Sequence, residues 1–260
     1  MVREGASGGT THHESRIEPR PPIATSRPDL PTYRPADDRR ARGYRVANAL
    51  SYILNPLVLP PFAFALVERH FGATWGQAAL TFGVSLTFFC LVPLLYIAGL
   101  IRSGRVSSLE VRDRAQRTGP LVVSIASYAV GAALLWWVVE GPARVPILTF
   151  AACFPVNTVG LLLINARFKI SLHMSSLAGF VGILLFVALT VWRGLPPGLE
   201  LGLTLATAGP LVILLPLLMW ARVRVGAHTP AQVVAGAAFG LVVPLVELWW
   251  VVYVWLDLAG

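Results

Sequence analysis

Two histidines lie beside basic residues in the connections between long apolar runs of this chain. His228 follows Arg222 after five intervening residues in ARVRVGAHTPAQ, and His173 follows Lys169 in KISLH. A neutral imidazole can serve as a nucleophile or a general base, while guanidinium and ammonium groups bind phosphate oxygens. These residue types at these spacings predict chemistry on a phosphorylated substrate.

The residues after His228 have the pattern of a helix start. Thr229 is suited to the N-cap, Pro230 to the first helical position, and Gln232 to the third residue of a capping box. Exposed N–H groups and the helix dipole favour anions at such an end. We therefore expect a phosphate held by Arg222 near His228. Gln232 is either a capping residue alone or also a support for the His228 ring.

Long apolar runs must position these residues. The chain has 260 residues, of which 55% are hydrophobic and 13% are charged. A helix needs about 20 apolar residues to cross the hydrocarbon core, and its backbone groups must be paired internally. The pattern predicts an all-α, polytopic transmembrane bundle of about seven spans, at 46–67, 75–101, 119–139, 145–165, 174–192, 201–221 and 231–255.

The charges predict how this bundle is oriented. Because successive spans cross in opposite directions, the connections after spans two, four and six share a face with the amino-terminal residues. Of the 21 Lys and Arg residues, 18 fall on that face and three on the other. The positive-inside rule places that face in the cytoplasm. The two histidine segments and the stretch 103–120 are expected to converge there.

Residues 1–43 differ in composition from the rest of the chain. They are rich in Pro, Arg, Ser, Thr and Gly and contain no long apolar run. Such a segment cannot bury enough apolar surface to offset its ordering entropy. We expect a disordered cytoplasmic tail at 1–43 and a transmembrane domain at 44–260. Cys90 and Cys153 lie inside apolar runs without metal-ligand spacing, and are expected to be small buried hydrophobes.

The two histidine segments resemble motifs of a known family. ARVRVGAHTPAQ resembles the Ser-Arg-x5-His-x3-Asp motif of the type 2 phosphatidic acid phosphatase superfamily, which includes vanadium haloperoxidases. KISLH resembles its Pro-Ser-Gly-His motif, with Ser171 and His173 in place. The resemblance covers roughly residues 100 to 245 and implies a six-helix membrane core whose three motifs meet at one face.

The sequence departs from the family pattern at several positions. Gln232 stands at the final Asp, which replaces a charged support for the histidine by a neutral one. The first motif, Lys-x6-Arg-Pro, matches least: aligning Arg117 with its Arg puts Glu110 where the Lys belongs. Lys169 or Arg114 is expected to supply the missing cation. Three further positions differ from the motifs: Ala221 stands in place of the Ser before the Arg, Ile170 in place of the Pro, and Leu172 in place of the Gly.

The resemblance implies a metal-independent phosphatase without a cofactor. His228 would attack phosphorus and form a phosphohistidine, while His173 would protonate the leaving oxygen and then activate water. The expected substrate is a lipid phosphate or isoprenyl diphosphate in the bilayer, and no nucleic acid is expected to bind. The expected phosphate-binding residues are Arg222, Ser171, Lys169, Arg114 and Arg117.

Structural roles compete with these assignments. Arginines at span ends commonly set topology, and a histidine at a helix start can be only a cap. Ser107 and Glu110 have capping-box spacing, which favours a local role for Glu110 and Asp113. Glu247 is expected near the opposite interface, in a structural role.

Other functions remain open from the sequence. A membrane prenyltransferase needs two Asp-rich motifs for magnesium diphosphate, and Asp113 alone does not supply them. A lipid phosphotransferase could use the same histidines with another acceptor. The degraded first motif favours a catalytically silent lipid-binding protein of the same fold, whereas retention of both histidines favours activity. Gly236 and Gly240 are spaced for close helix packing.

Overall fold

The amino-terminal half of the bundle begins with a broken helix pair. Helix α1 spans Arg42–Ile53 and helix α2 spans Leu59–His70, so the span predicted at 46–67 is two helices. Twelve residues make about 18 Å of helix, less than the ~30 Å hydrocarbon core. The side chain of Asn55 accepts the Leu57 N–H at 3.0 Å, and prolines open α2, so the backbone turns before it restarts.

The computed structural model describes residues 42–55, 57–111, 113–190 and 196–255. They belong to a unit spanning Pro35–Gly260. Nearly all of the tail predicted at 1–43 lies outside the described residues. Within the described residues the secondary structure is helical, without strands, which confirms the all-α class.

The next helices form three long apolar rods. Helix α3, Trp75–Ser85, continues through a π-helical turn at Leu86–Leu91 into α4, Val92–Arg102. A capping box of Thr74 and Gln77 opens α3. Helix α5 spans Thr118–Val138 after a 3-10 turn at Ala115–Arg117, and α6 spans Arg144–Asn165 after a 3-10 turn at Gly141–Ala143.

An aromatic cluster joins α2, the π-helical turn, α5 and α6. Its rings pack in tilted, stacked and edge-to-face pairs, with centroids 4.6 Å apart for Phe64 and Phe150 and 5.1 Å apart for Phe89 and Tyr128. Such pairs add to the stabilisation from apolar burial. The aromatic cluster consists of Phe64, Phe89, Tyr128, Phe150 and Phe154.

The carboxyl-terminal half holds α7, Leu172–Thr190, α8, Pro197–Arg224, and α9, Pro230–Trp250, which ends in a π-helical turn at Val251–Trp255. Helices α7 and α9 meet backbone to backbone. A Cβ added at Gly236 would lie 2.6 Å from the Ser171 carbonyl oxygen, and one at Gly240 would collide with the Ser175 carbonyl. The predicted use of both glycines in close packing is confirmed.

Four helical stretches of the described chain are long and apolar enough to cross a membrane. They coincide with the spans predicted at 75–101, 119–139, 145–165 and 231–255, and they are Trp75–Arg102, Ala115–Val138, Gly141–Asn165 and Pro230–Tyr253. Large apolar side chains such as Leu66, Trp137 and Leu163 are exposed on the outside, as lipid contact requires. These features indicate a membrane protein. The remaining predicted spans contain α1 with α2, α7 and α8.

Candidate functional site

The turn between α8 and α9 brings Arg222 next to His228. Helix α8 ends at Arg224, and Gly226 adopts a positive φ of 68°, which glycine adopts without strain. The chain then folds back, so that the Ala227 and His228 N–H groups both donate to the Arg222 carbonyl, at 3.1 and 3.3 Å. The turn thereby places Arg222 and His228 close together.

Gln232 both caps α9 and contacts the His228 ring. Its Oε1 atom accepts the Thr229 N–H at 3.3 Å, and its own N–H donates to the Thr229 hydroxyl at 3.4 Å, so the predicted capping box is present. The same Oε1 atom lies 3.1 Å from His228 Nδ1. Because an amide oxygen only accepts, Nδ1 carries the proton and Nε2 keeps its lone pair.

The segment before α7 is attached to this turn through the main chain. Lys169 Nζ donates to the Ala227 carbonyl at 2.9 Å, and the Ser171 N–H donates to the Gln232 carbonyl at 3.2 Å. The fully buried Ser171 hydroxyl lies 3.5 Å from the Met174 N–H, in the position of a helix cap. The two motif segments therefore lie side by side, as the topology predicted.

His173 faces the same site from the first turn of α7. The side chain is buried, and the backbone of Ser51 in α1 hydrogen-bonds to its ring. Its Nε2 atom is buried and has no partner within the described chain. Helix α1 thus helps to orient His173. No sequence pattern predicts this contact, because it joins residues far apart in the chain through a backbone group.

Arg114 and Arg117, the two candidate arginines in the stretch 103–120, have different positions. Arg117 is buried, and it donates through Nε to the Val111 carbonyl at 2.8 Å and through Nη1 to the Ile170 carbonyl at 3.0 Å. Arg114 is exposed and donates to the Ala166 carbonyl at 3.0 Å. The structure brings Arg117 to the site and leaves Arg114 at the rim, where it supports the connection after α6.

An ion pair joins this segment to α8. Glu110 Oε1 lies 2.6 Å from Arg222 Nη1, and the two side chains are 5% and 1% exposed. The capping box predicted for Ser107 and Glu110 is absent, because no helix begins there and the next helical turn starts at Ala115. The attraction of the Glu110 carboxylate to Arg222 replaces the local contact.

A cavity extends from these residues into the bundle. It encloses about 1290 Å³ of empty space, counting its open mouth. Its polar part, here called the cationic end, consists of Glu110, Arg117, His173, Arg222 and His228. Below this end the lining is mainly apolar and includes Leu94, Ile97, Leu121, Phe154, Leu161, Phe180 and Ile183. An anionic head group attached to an apolar tail fits this division.

Electrostatics keep the His228 ring neutral. Burial is the main cause that lowers its pKa to about 2, followed by the positive charges of Arg117, Arg222 and Lys169, while the bond to Gln232 opposes the shift. A neutral ring with a lone pair on Nε2 is the form that can attack an electrophile. The cations that repel a proton here also attract an anion.

Further from the site, Glu247 is bound to α6. Its Oε2 atom accepts from Asn157 Nδ2 at 2.8 Å, which links α9 to α6 in the interior. The sequence placed Glu247 at the opposite interface and missed this partner. In the described residues, no group of three or more His, Cys, Asp or Glu side chains is arranged to hold a metal ion.

Comparison with known proteins gives no relative for this chain. No family model, curated protein or solved structure matches it significantly.

Proposed function

We propose that this protein is a membrane phosphatase that hydrolyses a lipid phosphate or isoprenyl diphosphate through a phosphohistidine intermediate. The observation that carries the proposal is the shared cavity of His228, His173 and Arg222. In it, the His228 ring is oriented by Gln232, and two buried nitrogens, Arg222 Nε and His173 Nε2, have no partner within the described chain. Arg222 Nε is a buried donor, and His173 Nε2 becomes one when that ring is protonated, so both favour a ligand rich in acceptor oxygens.

In the first step the lone pair of His228 Nε2 attacks phosphorus. The N–P bond forms as the bond from phosphorus to the leaving oxygen breaks, and protonated His173 gives its proton to that oxygen. Arg222 and Arg117 neutralise the phosphoryl oxygens while charge shifts toward the leaving group. The positive charge that develops on the His228 ring is supported by the hydrogen bond from Nδ1 to Gln232.

In the second step water replaces the histidine. His173, now neutral, takes a proton from the attacking water, the O–P bond forms and the N–P bond breaks. His228 returns to its starting form and His173 to its protonated form, so the cycle balances. Burial, followed by the charge of Arg222, holds the pKa of His173 well below its usual range, and the negative charge of bound phosphate would raise it so that the ring can carry a proton.

The proposal includes a topology of seven crossings with the site at the cytoplasmic face. The first crossing is a broken span made of α1 and α2, whose break at Asn55 and Leu57 lines the cavity. Non-helical backbone at membrane depth is tolerated where it lines a cavity. The distribution of Lys and Arg, 18 on one face and three on the other, supports the orientation.

A lipid-anion-binding protein without turnover is the second candidate. The ion pair of Glu110 with Arg222 favours it, because a carboxylate already contacts the guanidinium that would bind the phosphoryl group. A phosphotransferase would differ from the phosphatase only in the acceptor of the second step.

The test is phosphate release by the purified full-length protein in detergent, in the presence of chelator. We expect release from at least one member of a panel of isoprenyl phosphates, isoprenyl diphosphates, phosphatidic acid and phosphatidylglycerol phosphate. His228→Ala should reduce the rate at least about 10³-fold, as loss of a nucleophile does. The matched control is His70→Ala, an exposed histidine at the end of α2, which should keep the wild-type rate.

Acid-labile labelling of His228 by a phosphorus-labelled substrate would identify the intermediate. A folded wild-type protein that binds these lipids and releases no phosphate would favour the binding protein. Transfer of the labelled group to an added alcohol in preference to water would favour the phosphotransferase.

A further inference from the structure

Helix α1 lies outside the stretch that resembles the phosphatase motifs, yet it packs against both histidine segments. Leu54, directly after its last turn, belongs to one buried apolar cluster with Met174 in the first turn of α7. Earlier in the helix, Ala47 belongs to another with Ala227, in the turn between α8 and α9. Close apolar packing of this kind leaves little room for movement. Helix α1 is therefore held in a fixed position relative to the site.

The break after α1 makes the Ser51 carbonyl available to a side chain. In an α-helix a carbonyl accepts the N–H four residues further on, which for Ser51 is that of Asn55. The last such bond that the described chain shows in α1 runs from the Leu54 N–H to the Leu50 carbonyl at 2.9 Å. Asn55 lies past the helix, where its side chain accepts the Leu57 N–H at 3.0 Å. A carbonyl beyond the end of the ladder needs another donor.

The His173 ring is that donor. Burial lowers the pKa of His173 most, whereas a hydrogen bond with the Ser51 backbone raises it. A bond that raises the pKa of a histidine is one in which a ring N–H donates to the carbonyl. Nε2 is buried without a partner in the described chain, so the donor is Nδ1. The neutral His173 ring is therefore the Nδ1–H tautomer, with its lone pair on Nε2.

Both histidines of the site thus have the same arrangement. His228 donates from Nδ1 to Gln232 Oε1 at 3.1 Å, and His173 donates from Nδ1 to the Ser51 carbonyl. Each acceptor is uncharged and fixes which ring nitrogen carries the proton. Because both rings line the cavity, Nε2 is in each case the nitrogen left for a ligand.

We infer that Ser51 is a positioning residue, whose main-chain carbonyl holds His173 as the Nδ1–H tautomer and directs Nε2 toward the leaving oxygen. The catalytic part of this inference rests on the proposed function. When protonated His173 gives its Nε2 proton to the leaving oxygen, the ring returns to the tautomer that Ser51 already holds. Nε2 then has the lone pair that takes a proton from water, without a ring flip between the two steps. A proton left on Nε2 would block that step.

The first experiment determines the tautomer in the full-length protein in detergent. Histidine is labelled with ¹⁵N, and the His173 signals are identified by their loss in His173→Asn. At neutral pH the ring is uncharged, because burial holds the pKa of His173 well below its usual range. We expect the ¹⁵N shift of a protonated nitrogen at Nδ1 and that of an unprotonated nitrogen at Nε2. The reverse pattern, or an average of the two tautomers, would overturn the inference.

A backbone ester tests the Ser51 acceptor itself. Replacing Tyr52 with its α-hydroxy acid converts the peptide bond after Ser51 into an ester, whose carbonyl is a weaker acceptor. We expect a larger share of the Nε2–H tautomer at His173. The matched control is the same change at Ile53, also in the last turn of α1, which weakens the Tyr52 carbonyl and should leave the His173 signals unchanged. Equal changes in both esters would overturn the inference, because loosening of α1 would explain them.

The catalytic consequence is measured as kcat/KM with two leaving groups. One substrate is the lipid phosphate that the wild type hydrolyses fastest, and the other is p-nitrophenyl phosphate, whose aryl oxygen leaves without a proton. The ester at Tyr52 should lower kcat/KM for the lipid phosphate about three- to tenfold, the scale of one net hydrogen bond. For p-nitrophenyl phosphate the change should be less than about twofold.

An equal loss for both substrates would show that Ser51 acts only on structure, which would overturn the inference. The tautomer measurement requires no turnover and therefore separates this inference from the proposed function. A wild-type protein with the Nδ1–H tautomer and no phosphate release would overturn the proposed function alone. Phosphate release by a protein with the Nε2–H tautomer would overturn the role of Ser51 alone.

Discussion

The aromatic cluster and the cationic end lie in the same bundle but are held together by different forces. In the aromatic cluster, rings from four helical segments pack against each other and need no particular atom of a neighbour. At the cationic end, Arg117 donates to the Val111 and Ile170 carbonyls, and beside this end Lys169 donates to the Ala227 carbonyl. Apolar packing depends mainly on area and volume, whereas hydrogen bonds depend on individual atoms.

This difference teaches where sequence changes should be tolerated. A core accepts another apolar side chain of similar volume at a modest cost. A buried donor or acceptor that loses its partner is left with the whole desolvation penalty. We therefore expect substitutions in the aromatic cluster to lower mainly the free energy of unfolding, and substitutions at the cationic end to lower the rate of phosphate release as well as stability.

The largest effect on rate short of removing His228 is expected from Arg222→Lys. Lysine keeps the charge but loses the planar guanidinium that binds Glu110 and a phosphoryl oxygen together. We expect kcat/KM for the preferred substrate to fall about 10²- to 10³-fold. Arg224→Lys, two residues further along α8, is the control and should change kcat/KM less than about twofold. Equal losses in both variants would contradict the assignment of Arg222.

The opposite pattern is expected from Phe64→Ala in the aromatic cluster. Phe64 is fully buried and contacts the rings of Phe89, Phe150 and Phe154. The cavity left behind should lower the free energy of unfolding by about 3 to 5 kcal/mol, measured by denaturation in detergent.

The control for that variant is Phe62→Ala, an exposed neighbour, which should cost less than about 1 kcal/mol. The kcat of the folded Phe64→Ala fraction should stay within about threefold of wild type. A loss of kcat with unchanged stability would break the comparison between the two regions.

The smallest effect is expected from a substitution of Gln232, which contacts His228 of the cationic end. Gln232→Glu is isosteric and places a carboxylate against His228 Nδ1, where it would stabilise the positive ring of the phosphohistidine. We expect kcat to rise about tenfold. The same carboxylate should raise the pKa of His228 above its present value of about 2.

The pH dependence of kcat is a second test of the Gln232→Glu variant. In the proposed mechanism the neutral ring is the nucleophile, so a higher pKa of His228 means that activity is lost at a higher pH as the solution is acidified. The wild type should show no loss from His228 protonation near pH 5. Gln232→Leu is the comparison variant and should lower kcat, since it removes the acceptor. A rate that is equal in all three proteins would show that position 232 only caps the helix.

The sequence predicted the parts of the structure that depend on composition and on near neighbours. Four spans follow from apolar length alone, and the Thr229 and Gln232 capping box forms because both partners are on one turn. The break between α1 and α2 was missed because hydropathy averages over Asn55 and the prolines that stop the helix locally.

The parts that were missed depend on residues far apart in the chain. Ser107 and Glu110 have capping-box spacing, but Glu110 pairs with Arg222, which lies 112 positions away. Similarly, the Ser51 backbone contacts His173, and Asn157 contacts Glu247 across 90 positions. Local sequence patterns carry no information on such pairs. Each pair forms because of the way the helices pack, and a local pattern does not specify which helices are neighbours.

The backbone contact between α7 and α9 has a consequence for how a substrate can enter. With Gly236 on the Ser171 carbonyl and Gly240 on the Ser175 carbonyl, the two helices meet at these points through backbone atoms, which have no rotamers to change. The segments that carry His173 and His228 are thus one rigid wall. We therefore expect an opening that admits a ligand to come from the facing wall, where Glu110 and Val111, the latter with a positive φ of 41°, line the cavity.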